Sequence, residues 1–82
     1  MTVSVLFFAS LRELAGIERT TFEYCGGVDG LVKAIGDHLG EDLAEALMKE
    51  NVRVAVNQTI VAREHELGEG DEIAFLPPVT GG

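Results

Sequence analysis

The stretch TVSVLFFA, residues 2–9, carries two patterns at once. Val3, Val5 and Phe7 alternate with their neighbours, as in a strand with one covered face, while Leu6 and Phe8 add apolar side chains at the opposite parity. A strand central in its sheet, covered on one face and partly on the other, fits both. Working outward, Ser10 is expected to cap a turn of helix over residues 11–15, with Glu13 near its start and Gly16 just past its end. Residues 19–24 alternate again, with Thr20, Phe22 and Tyr24 on one side, and predict a second strand returning along the first. Gly26 and Gly27 interrupt the pattern. Val28, Leu31, Val32, Ile35 and Leu39 then form the stripe of one amphipathic helix, with Gly40 where a left-handed C-terminal residue is wanted. The sequence leaves the start of this helix open between Gly27 and Asp29. Gly36 in its interior weakens it by about 1 kcal/mol relative to Ala, so its stability must come from packing.

A shorter helix over residues 42–49 carries the chain back to the sheet. Val52, Val54 and Val56 read as a strand, Asn57 and Gln58 as a hairpin turn, and residues 59–62 as the returning strand. GEGDE, residues 68–72, is a tight turn, and residues 73–76 form the last strand. Pro77 ends it, because proline supplies no ladder N–H. The fold class is α+β, one main helix laid across a mixed sheet. The expected organisation is a folded domain over residues 1–76 and a tail over residues 77–82.

Eighty-two residues with 46% hydrophobic and 24% charged side chains are globular composition, with one modest core and little room for an enclosed active site. The first residues lack a basic region before their apolar run, so neither export nor a membrane segment is expected. The lone Cys25 cannot close an intramolecular disulfide, which suits a reducing cytoplasm. Six basic against fourteen acidic residues give a formal charge of −8, which disfavours nucleic acid and anionic membranes. A partner protein with a basic face is the simplest complement, a solvated acidic surface the plainer one.

Little in the body of the chain reads as chemistry. Neither common nucleotide-binding glycine motif is present. HELGE, beginning at His65, starts like a zinc-protease motif but has Glu69 where histidine is required, and His38 and His65 have no partner at ligand spacing. No metal and no bound cofactor are expected. Cys25 beside two glycines is either an accessible thiol or a small inert side chain.

The tail is different. Pro77 and Pro78 stiffen the exit, so immobilising the chain beyond them costs less entropy. Val79, Thr80, Gly81 and Gly82 span roughly 13 Å when extended, enough to enter a partner's cleft. Glycines without Cβ let a narrow channel close around the backbone and reach a terminal carboxylate. ATP can turn such a carboxylate into an acyl adenylate, although a terminal Gly-Gly alone decides nothing, since chain ends are often small.

VLFFASLREL (residues 5–14), AVNQTIV (residues 55–61), LGEGDEIAFLPPVTGG (residues 67–82) and the order of elements resemble the small subunits of molybdopterin synthase, ubiquitin-like sulfur carriers. The resemblance implies a β-grasp fold with the first and last strands adjacent and parallel. It implies that Gly82 is adenylated by an enzyme related to ubiquitin-activating enzymes, converted to a thiocarboxylate, and inserted into the large synthase subunit of a heterotetramer. There sulfur would pass to the cyclic pyranopterin precursor. Gly81 would permit access, while Pro77, Pro78, Val79 and Thr80 would line the insertion. Phe7, Phe75 and Leu76 are candidates for a docking patch beside the tail, or else core, since alternation does not say which sheet face is covered. Arg12 either pairs with the activating enzyme or is an uninvolved surface residue. The glycine-rich CGGVDG, residues 25–30, departs from the family pattern. A thiamine-pathway sulfur carrier and a modifier conjugated through Gly82 share the same tail and remain alternatives.

Overall fold

The structure is a computed structural model and describes residues 1–78. Its strands are β1 (Thr2–Phe7), β2 (Arg19–Glu23), β3 (Arg53–Val56), β4 (Thr59–Val61) and β5 (Glu72–Leu76), forming one mixed sheet in the order β2-β1-β5-β3-β4. The helices are α1 (Ala9–Ala15), α2 (Val28–Leu39) and α3 (Glu41–Leu47). β1 and β5 lie side by side and parallel, flanked by antiparallel β2 and β3. This is the α+β arrangement expected, with α2 as the main helix.

One sheet face carries the core. Val3, Val5 and Phe7 from β1, Phe22 from β2, Val54 and Val56 from β3, and Ile73 and Phe75 from β5 are all buried, together with Val28, Leu31, Val32 and Ile35 of α2 and Leu43 and Leu47 of α3. The period-2 burial of β1 and β5 therefore has a direct cause: helices cover one face and leave the other open.

Local chemistry departs from expectation at the helix starts. Ser10 lies inside α1 and Phe8 holds the cap position, its carbonyl accepting the Leu11 N–H at 3.0 Å. Gly27 starts α2, and no side chain caps it because main chain does so: the Val28 and Asp29 N–H groups donate to the His65 and Arg63 carbonyls, each at 3.1 Å. The glycine-rich departure has a steric reason. Tyr24 folds over this helix start, donating its hydroxyl to the Gly27 carbonyl at 2.7 Å, and a Cβ on Gly30 would collide with that hydroxyl. Gly16 ends α1 in the left-handed region as expected, but Gly40, at φ 111 and ψ 148, turns the chain directly from α2 into α3 instead of closing a left-handed cap.

The glycine that weakens α2 on propensity grounds is needed for its packing. A Cβ on Gly36 would stand 2.8 Å from the Ala44 Cβ, so its absence lets α2 and α3 approach closely. Gly36→Val, which gains little helix propensity and must push α3 away, is expected to destabilise the protein by about 1–3 kcal/mol. Urea denaturation measures this, and an unchanged midpoint would contradict the close approach.

Asn57 and Gln58 both have positive φ, 50 and 70, the signs of a type I′ hairpin turn. The turn is tied to β5: Asn57 donates its side-chain amide to Asp71 at 2.9 Å and accepts the Glu72 N–H at 3.0 Å. The Gly68 N–H and then the Asn57 amide hold the Asp71 carboxyl below the usual carboxylate range. Carboxylates thus gather at the end of the sheet away from the C-terminal exit, where Glu69 accepts the Thr2 N–H and Glu23 the Thr2 hydroxyl.

Candidate functional site

The open face of the sheet is organised by register. Leu6 faces Ala74, Ala74 faces Ala55, and Ala55 faces Ile60, giving an apolar row across four strands. Phe8 has extended backbone, φ −121 and ψ 149, so the alternation of β1 continues through it and its side chain falls on the same face as Leu6. Phe8 is 41% and Ile60 53% exposed. The half-buried Leu76 stands at the same end, opposite Arg53. One row further from the exit the face turns polar, with Ser4 facing Glu72, which pairs with Arg19. The apolar part of this face therefore lies at the root of the tail.

Two of the docking candidates, left open between patch and core, lie in the core. Phe7 and Phe75 are 0% exposed and stack in the core, ring centroids 6.2 Å apart and planes within 14°. They are register partners on the helix-covered face, so neither can be part of a docking patch. Their sequence neighbours stand on the open face instead, Phe8 beside Phe7 and Leu76 beside Phe75, with Ile60 as the third large apolar side chain there. A signal for this was present: once Val3, Val5 and Phe7 are assigned to one face, the second phenylalanine of the FF pair must point to the other. Ile60 follows from the two-residue turn, which sets it opposite Ala55.

Pro77 and Pro78 leave the sheet between two grooves. One is lined by Arg53, Ile60, Arg63 and Leu76 together with the prolines, the other by Ser10, Leu11, Lys49 and Asn51. The wall between them is held by Arg63, whose guanidinium donates to the Lys49 and Val52 carbonyls at 3.0 and 3.1 Å and so fixes the loop leading into β3. Arg12 stands exposed on α1, outside the residues lining either groove. Val79, Thr80, Gly81 and Gly82, the expected channel segment and carrier residue, lie outside the described residues. Cys25 is exposed. Among the described residues no group of three or more His, Cys, Asp and Glu side chains could hold a metal ion, and no helix is long and apolar enough to cross a membrane.

The comparison with protein families matches the ThiS family over residues 5–82. The chain belongs to the ThiS family. Its relatives include the molybdopterin synthase sulfur carrier subunit of Haemophilus influenzae, 43% identical, with 98% of this chain and 99% of that protein covered. Subunit 1 and 2 of molybdopterin-converting factor from Helicobacter pylori have been solved as a protein–protein complex; this chain matches one chain of it with a TM-score of 0.67 and 28% identity, covering all of both chains. SAMP1 from Haloferax volcanii shares the fold, with a TM-score of 0.85 at 23% identity over the full length of both chains. The fold of this family member is the ubiquitin-like β-grasp, as the central parallel pair of β1 and β5 requires.

Proposed function

We propose that this chain is the sulfur-carrying subunit of a molybdopterin synthase. The observation that carries the reading is its 43% identity, over nearly its whole length, to a protein of that name. The apolar face at the root of the tail supports it, because a carrier that delivers a group held on its own terminus must first dock beside that terminus.

The chemistry follows from the terminal carboxylate of Gly82, a poor acyl group in itself. In an adenylating enzyme related to the ubiquitin-activating enzymes, a carboxylate oxygen attacks the α-phosphorus of ATP, releasing pyrophosphate and leaving an acyl adenylate. Sulfide then adds to the carbonyl and expels AMP, giving a thiocarboxylate and one proton. Sulfur is now the nucleophile. In the large synthase subunit it attacks a carbon of the cyclic pyranopterin precursor, forming a C–S bond as that carbon's C–O bond breaks and the oxygen leaves with the electron pair. Water cleaves the resulting acyl–sulfur bond, leaving sulfur on the pterin and a carboxylate on Gly82. Two rounds supply the two sulfurs of the dithiolene. The chain itself provides the carrier carboxylate and the docking face and binds no cofactor or metal. The catalytic groups belong to its partners, the large subunit with which it forms a heterotetramer and the adenylyltransferase. All of this proceeds in the cytoplasm without nucleic acid or membrane.

The test is intact-mass measurement after incubation with the adenylating enzyme, ATP and sulfide. One oxygen at Gly82 is expected to be replaced by sulfur, and the charged protein should then convert the precursor when mixed with the large subunit. An unchanged mass with an enzyme proven active on another carrier sinks the reading. Transfer of that sulfur only to thiazole synthesis, or joining of Gly82 to protein lysines, would select the alternatives.

A further inference from the structure

The groove beside the tail root carries a charge that the rest of the surface does not explain. The chain is acidic overall, yet the groove-lining residues include two bases, Arg53 and Arg63, and one carboxylate, Glu50, and Lys49 lines the adjoining groove. Arg63 is spent on main-chain carbonyls. Arg53 is not. It is exposed, lies opposite Leu76 in the sheet, and among the described residues makes no ion pair or side-chain hydrogen bond, whereas Arg19 on the same face is matched by Glu72.

We infer that Arg53 receives a carboxylate of the protein that takes the tail, at the mouth of that protein's channel. This rests on the functional reading above and adds the chemistry of its partner. The occupant follows from charge complementarity and position. Docking over Phe8, Ile60 and Leu76 strips water from the guanidinium, and a planar fork in apolar surroundings is best satisfied by one bidentate carboxylate. A partner that lacks that acid would bury an unpaired charge and be rejected, so Arg53 selects among tail-binding proteins and also strengthens the correct complex. The partner is thus not uniformly basic. It opposes the acidic end of the sheet with bases and presents one acid where the tail enters.

The experiment measures calorimetric affinity for the molybdopterin synthase large subunit of the same organism, at low and moderate salt, for wild type, Arg53→Gln and Arg53→Glu. Ile60→Asp serves as the control for docking through the open face, and thermal unfolding checks every variant. Arg53→Gln keeps the stem and removes the charge, so it stays informative if the reversal disturbs the strand. Both Arg53 variants are expected to weaken binding by about tenfold or more, with the larger loss for Arg53→Glu. Binding by both within twofold of wild type, while Ile60→Asp abolishes it, overturns the inference and leaves the functional reading intact. If folded wild type fails to bind the large subunit at all, both fall.

Discussion

Removal of Gly82, or addition of one alanine after it, is expected to abolish sulfur transfer outright while leaving folding and docking nearly unchanged. The reason is geometric. One residue moves the terminal carboxylate by roughly 3.5 Å along an extended chain, whereas displacement of a reacting atom by about 1 Å can already cost about 10²-fold in rate. The variants differ in what they spare. The shortened chain still ends on a side-chain-free residue, Gly81, so its failure would isolate reach, while the extended chain keeps both glycines and displaces only the carboxylate. Neither change touches the core or the open face, both of which lie within residues 1–78. The measurement is a single turnover of precursor with the large subunit, alongside intact mass for the thiocarboxylate and size-exclusion chromatography for the complex. Product formation by either variant at a rate near wild type would mean that the Gly82 carboxylate is not the carrier group.

Such a loss would say nothing about which side chains hold the partner, and here sequence and structure contribute differently. The central position of β1 was legible in TVSVLFFA, and the last strand in the short run before Pro77, because hydrophobic periodicity reports burial directly, while the pairing of those two strands was implied by the resemblance. Which residue of Phe75–Leu76 faces the helices was not legible, because both parities of that strand are apolar, whereas in β1 the alternation of Val3 and Val5 with Thr2 and Ser4 already marks the parity of Phe7 in the FF pair. Register removes that ambiguity by setting Phe7 against Phe75 on the core face. The start of α2 was illegible for another reason. Its orphan N–H groups are satisfied by the main chain of Arg63 and His65, far along the sequence, and local capping patterns cannot report such a partner. Arg53 reads locally as one polar residue in an alternating strand. Only the neighbouring β5 shows that it stands beside Leu76 and the tail root.

The same asymmetry separates two substitutions that look equivalent on the page of sequence. Phe75→Ala is expected to destabilise the protein by about 3–5 kcal/mol, since it empties the space of a fully buried ring and leaves Phe7 without its stacking partner. Domains of this kind are stabilised by roughly 5–15 kcal/mol in total, and small ones sit toward the lower end, so much of the protein would be unfolded or poorly packed. Leu76→Ala, one residue on, removes a half-buried side chain from the open face and should cost far less stability while weakening docking. In an activity assay alone both variants would look defective, and Phe75 would be mistaken for a docking residue. Denaturant unfolding with partner titration in parallel tells them apart. A loss for Phe75→Ala below about 1 kcal/mol, combined with lost binding, would return Phe75 to the interface. A large loss of stability, with affinity per folded molecule retained, fixes it in the core and leaves Phe8, Ile60 and Leu76 as the side chains a partner touches.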